Sequence, residues 1–170
     1  MHIKWIGAIL IIAGCGGCGL SVAASGRRET RMLQELLRTI RFMENELQYK
    51  MTDLPELCRQ AGSTSSGAVQ EIFFNLAREL DWQTKPDAPS CMSEAIEKSR
   101  PLPKSVRMLL LQLGTTLGRF DLSGQLKELA HIRLSCEDAL VIRTSQQEVR
   151  LRNYRTLGFC TGAALAILLL

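Results

Sequence analysis

Aromatic residues are scarce in this chain, at 5% of its 170 residues. Binding of single-stranded nucleic acid depends on stacking against aromatic side chains, so their shortage argues against that function. The formal net charge of +4 is also too small to indicate a nucleic-acid partner. β-Branched residues are sparse in the middle of the chain, where Leu, Glu, Arg and Gln dominate. This composition predicts an all-α fold.

Motifs of catalysis and metal binding are also missing. The sequence contains no G-x-x-x-x-G-K, no H-E-x-x-H and no G-x-S-x-G. His2 stands at the N-terminus and His131 is isolated, with Glu128 three residues before it; a lone histidine on a helix is usually structural or solvated. The pair Cys15-x-x-Cys18 has no second pair and no nearby histidine, so it does not form a zinc pattern. We therefore expect no enzymatic activity, no cofactor and no metal.

Long apolar runs are present at both ends of the chain. The first, Trp5–Ala24, is uncharged and has about the 20 residues needed to cross a bilayer. The second, Leu157–Leu170, follows an arginine cluster that contains Tyr154, and basic and aromatic residues together are typical of a membrane interface. We predict transmembrane helices over residues 1–26 and 153–170.

An alternative interpretation of the first run is a lipoprotein signal. The stretch Ile12-Ala-Gly-Cys15 resembles a bacterial lipobox, in which cleavage leaves a lipidated cysteine. The segment before Cys15 is short for a signal peptide, and the apolar run continues to Ala24, so we favour an uncleaved membrane helix. The alternative would make the protein a lipid-anchored, extracytoplasmic helical adaptor or sensor.

Arginines indicate the orientation of the chain in the membrane. They follow the first apolar run and precede the second, so both clusters lie on the side of the middle segment. The positive-inside rule then predicts that residues 27–152 are cytoplasmic and that both ends point outwards. The arginines that carry this prediction are Arg27, Arg28, Arg31, Arg150, Arg152 and Arg155.

The middle segment is predicted to form a bundle of six helices, because apolar residues recur three or four apart between short loops. The first three expected helices are Arg27–Lys50, a short helix capped by Thr52 or Asp53 that ends at Gly62, and Gly67–Asp81. The fourth is a short helix that is capped by Ser90 or Ser93 and closed by Pro101 and Pro103. The last two are Pro103–Gly118 and a continuous helix Ser123–Leu170, which has Asp121 as its N-cap.

Small residues four apart allow neighbouring helices to approach closely. In the middle segment Gly114 and Gly118 have this spacing. In the apolar runs the pattern predicts packing of membrane helices, within the chain or between copies. Its members are Ala13, Gly17 and Ser21 in the first run and Gly158, Gly162 and Ala166 in the second.

Four stretches resemble, in order and spacing, motifs of the stage III sporulation protein AB family of endospore-forming Firmicutes. The first is Ile6–Ile11, near the N-terminus. Glu46–Glu56 is similar to E-(I/L)-x-Y-x-x-T-x-L-x-E, and Leu113–Gln125 is similar to L/F-G-x-x-L-G-x-x-D-x-x-x-Q. Tyr154–Gly158 matches the stretch before the last apolar run. The Gly- and Cys-rich first run, and a last run that ends with the chain, depart from the family pattern.

The resemblance implies a function. The family belongs to a complex that links the mother cell to the engulfed forespore, and its cytoplasmic domain is similar to that of the type II secretion platform protein. It implies a non-enzymatic platform in the mother-cell membrane facing the forespore. The implied partners are the ATPase stage III sporulation protein AA, other proteins of the same operon and membrane lipid. No nucleic-acid partner is implied. The resemblance is also compatible with a homo-oligomer. The motif positions, expected to be structural or interface residues, are Glu46, Tyr49, Thr52, Gly114, Gly118, Asp121 and Gln125.

Overall fold

The described part of the chain is all-α. The computed structural model describes the backbone of residues 2–50, 52–83, 85–118 and 121–169, and the side chains of residues 26–50, 52–83, 85–118 and 121–145. These residues form six helices and no strand, which confirms the predicted fold class. The helices are α1 (His2–Lys50), α2 (Leu54–Thr64), α3 (Gly67–Asp81), α4 (Ala88–Glu97), α5 (Lys104–Thr116) and α6 (Leu122–Leu169).

Two compact units make up the chain. One contains Met1–Thr30 and Val141–Leu170, and the other, which we call the helical core, contains Arg31–Leu140. In the first unit the Arg143 guanidinium lies 3.0 Å from the Glu29 carboxylate.

The helical core is held together by one apolar cluster. Helices α2 to α5 each pack against the next in chain order. The apolar stripe of α1 and the inner face of α6 complete the cluster, with Leu36, Ile40 and Ile132 fully buried. One buried polar contact joins α1 to the end of α2, where the hydroxyls of Thr39 and Ser65 lie 2.6 Å apart. Each helix is amphipathic, and in the helical core the helices cover one another's apolar faces.

Helix α2 does not end where the sequence predicted. Gly62 lies inside the helix, which continues to Thr64, so the prediction of Gly62 as its end is wrong. A Cβ at Gly62 would lie 3.1 Å from Cδ1 of Phe74. The glycine is therefore explained by the close approach of the Phe74 ring and not by a helix terminus.

Helix α4 also begins earlier than predicted. Its N-cap position is occupied by Asp87, and Pro89 stands in the first turn, so the prediction of Ser90 or Ser93 as the cap is wrong. Proline is compatible with a first helical turn, where backbone N–H groups have no partner within the helix. The Ser90 hydroxyl instead donates a hydrogen bond to Asp87 Oδ1, at 2.7 Å.

Both predicted membrane segments lie outside the residues whose side chains are described. The same holds for Cys15, for the small residues of the two apolar runs, and for Arg150, Arg152 and Arg155. Among the described residues, no helix is both long and apolar enough to cross a membrane.

Candidate interaction site

The end of α5, the turn after it and the start of α6 contain four of the seven predicted motif positions. Gly114 lies in the last turn of α5 and packs on α4: a Cβ placed on it would be 2.7 Å from Met92 Cβ and 3.0 Å from Met92 Cγ. Met92 is itself fully buried. The glycine therefore permits a close approach of α4 and α5 that a larger residue would obstruct.

Gly118 and Asp121 shape the two sides of the same turn. Gly118 follows the C-cap residue of α5 with φ +72°, a left-handed conformation that glycine adopts without strain. Asp121 precedes α6, and its Oδ1 accepts a hydrogen bond from the backbone N–H of Gly124 at 3.2 Å. Its Oδ2 accepts a hydrogen bond from the Ser123 hydroxyl at 2.6 Å. Gln125, the fourth motif residue, is buried in the first turn of α6.

Hydrogen bonding favours the ionised form of Asp121. The Ser123 hydroxyl and then the Gly124 N–H both donate to the carboxylate, and they lower the pKa of Asp121 from its ordinary value. Donors aimed at a carboxylate stabilise its ionised form. Asp121 is therefore a charged cap at the positive end of the α6 dipole.

The other three motif positions lie at the end of α1 and just after it. Tyr49 is 78% exposed, so the helical core does not use its ring for packing. Glu46 Oε1 pairs with Lys50 Nζ at 2.9 Å, while its Oε2 is buried without a hydrogen-bond partner among the described residues. Thr52 is half-buried.

One contact joins the two motif stretches. Leu54, which begins α2, places its Cδ2 3.4 Å from the position of a Cβ on Gly118. The structure therefore brings the start of α2 to the α5–α6 turn. The Tyr49 ring, by contrast, is exposed.

The predicted topology arginines are described only on α1. Arg27, Arg28 and Arg31 are all exposed there.

A network of ion pairs between α1 and α6 was not predicted from the sequence. The Glu137 carboxylate lies 2.9 Å from Arg41 of α1 and 3.0 Å from Arg133. Arg133 also lies 3.2 Å from Glu44 of α1. The Arg41 guanidinium first, and Arg133 second, lower the pKa of Glu137. The sequence shows only the helix spacing of Arg133 and Glu137, since the contacts to α1 bridge 89 and 96 residues.

A groove between α5 and α6 was also missed. It has a volume of about 500 Å³, and we call it the α5–α6 groove; its lining residues are Ser105, Met108, Leu109, Leu111, Gln112 and Ala139. One signal in the sequence could have indicated this groove: Met108 and Leu111 are apolar but fall outside the predicted apolar stripe of α5. That stripe contains Val106, Leu109, Leu110, Leu113 and Leu117. Apolar residues outside the buried face of a helix are candidates for contacts with a partner.

The cysteines of the helical core are chemically quiet. Cys58, Cys91 and Cys136 are free and buried. Burial first, and the Asp81 carboxylate second, raise the pKa of Cys58 to about 12. Burial raises the pKa of Cys136 to about 11, with a smaller contribution from Glu137. A thiol that stays protonated is a poor nucleophile and metal ligand. No group of three or more metal-ligating side chains occurs in the described part of the chain.

A model of the family described as stage III sporulation protein AB matches residues 4–170. The chain belongs to this family. Stage III sporulation protein AB of Bacillus subtilis (strain 168) is 25% identical over 174 aligned residues, which cover 99% of this chain and 99% of that relative. A solved structure of stage III sporulation protein AB has the same fold, with a TM-score of 0.63 and 22% identity over 72% of this chain and 98% of that one. The family resemblance of the sequence is confirmed, and it implies a role in sporulation.

Proposed function

We propose that this protein is a non-enzymatic platform in the membrane of the mother cell. It would belong to the complex that links the mother cell to the forespore, and would dock the ATPase stage III sporulation protein AA to the membrane part of that complex. The observation that carries the proposal is the family match over residues 4–170, which includes both apolar ends as well as the helical core.

The distribution of residues supports a platform in preference to an enzyme. The motif residues form a helix cap, a close helix contact and an exposed aromatic ring, which are features of folding and of interfaces. Interfaces are enriched in exposed tyrosine, which supplies contact area at low cost in side-chain entropy. We further propose that the helical core is similar to the cytoplasmic domain of the type II secretion platform protein.

A binding experiment tests this function. The full-length chain in detergent micelles is mixed with the purified ATPase of the same operon, and the affinity is measured by calorimetry. We expect saturable binding of the ATPase. A folded full-length chain that does not bind the ATPase would contradict the docking role.

A genetic experiment tests the sporulation role separately. A strain that lacks its own copy of the family gene is complemented with this chain, and heat-resistant spores are counted. We expect spore formation to be restored by the full chain and lost when residues 153–170 are removed. Full restoration by the truncated chain would contradict an essential C-terminal anchor.

A further inference from the structure

The α5–α6 groove exposes apolar surface that the helical core leaves uncovered. Of its lining residues, Leu109 is 7% exposed, whereas Met108 is 70% exposed. A volume of about 500 Å³ lies within the range of sites that accept several side chains or a small ligand. Methionine adapts its shape to a partner because its side chain is unbranched and polarizable.

Unpaired cations border this groove on α5. Lys104 and Arg107 are exposed, and neither pairs with a carboxylate of the described residues. Lys104 lies four residues before Met108 and Arg107 lies four residues before Leu111, so both cations share a side of α5 with the groove. By contrast, the nearby Lys98 pairs with Glu79 at 2.7 Å.

The chain that contains α5 is basic on both sides of the helix. Between Glu97 and Asp121 it contains five basic residues and no acidic residue. On the α6 side the exposed charged neighbour of Ala139 is Asp138. The α5 border of the groove is therefore positive, and its complement is a partner that carries carboxylates beside apolar side chains.

The shape of the site favours a helix over a lipid surface. A cleft between two helices receives the apolar ridge of a third helix, as in other helix-in-groove complexes. Adsorption to an anionic bilayer instead uses a protruding apolar face and many cations. We propose that the α5–α6 groove binds an amphipathic helix of the ATPase, with apolar side chains in the groove and carboxylates against Lys104 and Arg107. This inference rests on the proposed docking function and identifies its surface.

Variants of the full-length chain in micelles test the groove against the purified ATPase. Met108→Asp, and Lys104→Glu combined with Arg107→Glu, should each weaken binding about ten-fold or more, because central apolar contacts and charge pairs dominate such interfaces. The matched controls lie on α6 outside the groove. Leu134→Asp replaces an apolar residue that is 52% exposed, and Lys127→Glu reverses an exposed cation; both should bind like the wild type.

Salt dependence separates the charged contacts from the apolar ones. Wild-type affinity should fall as sodium chloride is raised, because salt screens exposed charge pairs. The variant that reverses Lys104 and Arg107 should lose most of this dependence, whereas Met108→Ala, which removes apolar contact without adding a charge, should keep it. Equal salt dependence in the wild type and the reversed variant would overturn the pairing of these cations with carboxylates.

Hydrogen exchange locates the bound partner and covers the case in which a variant does not fold. Addition of the ATPase should protect the backbone of residues 104–112 in the wild-type chain. Absence of protection there, or groove variants that bind as tightly as the wild type, would overturn the groove inference and leave the docking function standing. If the folded wild type does not bind the ATPase, the function and the inference fail together.

Two other occupants are distinguished by further measurements on the same chain. Protection of residues 104–112 by nanodiscs of anionic lipid without the ATPase, absent in neutral lipid, would assign the groove to the membrane surface. Self-association seen in sedimentation of the wild type and abolished by Met108→Asp would assign it to a second copy of the chain. Either result would overturn the inference.

Discussion

Gly114 occupies a position where one added methyl group has no space. A Cβ there would lie 2.7 Å from Met92 Cβ and 3.5 Å from the Pro89 Cα. We expect Gly114→Ala to destabilise the fold by about 1–3 kcal/mol through overpacking, and Gly114→Leu to destabilise it further. Thermal unfolding of the full-length chain, followed by circular dichroism, measures both changes.

A second substitution checks that the α4 contact is responsible. Met92→Gly removes both the Cβ and the Cγ that face Gly114, so Gly114→Ala should cost less in the Met92→Gly background than in the wild type. Additive losses in the double variant would place the strain elsewhere. A wild-type melting temperature for Gly114→Leu would show that the close contact at this turn is absent.

Asp121 stabilises the start of α6 through two accepted hydrogen bonds. Asp121→Ala should lower the melting temperature, whereas Asp121→Asn should lower it less because the amide oxygen still accepts the Gly124 N–H. The pKa of Asp121 is lowered in the folded state, so its ionisation adds stability above the unfolded pKa of about 4. That contribution is lost as the pH falls through the folded pKa.

The difference in melting temperature between wild type and Asp121→Ala should therefore shrink as the pH is lowered below about 4. A difference that grows towards acid pH would contradict the charged cap. ATPase binding is measured on the same variants. Loss of binding at an unchanged melting temperature would instead assign Asp121 to an interface. The same outcome for a variant of Gln125 would assign Gln125 to an interface.

Single cysteines in a sequence suggest convenient positions for accessibility labelling, but in this fold the cysteines of the helical core are buried and inaccessible to reagents. Cys58, Cys91 and Cys136 are at most 1% exposed, and their pKa values are raised by burial. Thiols in this state react slowly with alkylating reagents at neutral pH. Labelling of the folded core therefore requires introduced cysteines at exposed positions such as Glu97.

At the scale of helices, α1 and α6 are joined by charge as well as by apolar packing. Glu137 is shared by Arg41 and Arg133, and its pKa is lowered by both. Glu137→Gln should lower the melting temperature at neutral pH, because two guanidinium groups lose their common anion. The loss should be smaller in high salt and should vanish as the pH falls through the lowered pKa of Glu137.

Glu97→Gln is the matched control for this prediction. Glu97 is exposed at the end of α4, and no ion pair of the described residues involves it. Its substitution should leave melting unchanged in low and high salt. An equal effect of both substitutions would mean that overall charge, and not the α1–α6 network, determines the result.

The helix bounds show where local sequence decides structure. Helix α3 was predicted as Gly67–Asp81 and has those bounds, and α5 was predicted as Pro103–Gly118 and spans Lys104–Thr116. In α3 a glycine with φ +64° begins an uninterrupted apolar stripe. In α5 the signals are Pro103 before the helix and Gly118 after it. Such boundaries follow from backbone preferences of the residues themselves.

The error at the end of α2 arises because a distant residue gives a local signal another meaning. A glycine at position 62 favours a helix end, but the Phe74 ring of α3 occupies the space beside Gly62. The candidate site likewise has one part that the sequence predicts and one part that depends on long-range packing. The turn from Gly114 to Gln125 could be predicted from its motif, whereas the groove at Met108 depends on how α5 packs against α6. Long-range packing of this kind is not encoded in helix periodicity.

At the scale of the whole molecule, the remaining prediction is the orientation of the chain in the membrane. The arginines beside each apolar run predict that residues 27–152 are cytoplasmic and that both termini are outside. A reporter that is active only outside the membrane, fused after Ser99, should give no signal. The same reporter fused after Leu170 should be active, and it provides the matched control.

The first apolar run decides between the two anchors that the sequence allows. An uncleaved membrane helix predicts that Cys15→Ala leaves the mass, the membrane fraction and the reporter pattern unchanged. A lipoprotein anchor predicts that the wild-type chain is shortened at Cys15 and carries lipid, and that Cys15→Ala blocks both changes. A strong signal from the fusion after Ser99 would place the helical core outside the cytoplasm. Docking of a cytoplasmic ATPase would then be impossible, because the helical core and the ATPase would lie on opposite sides of the membrane.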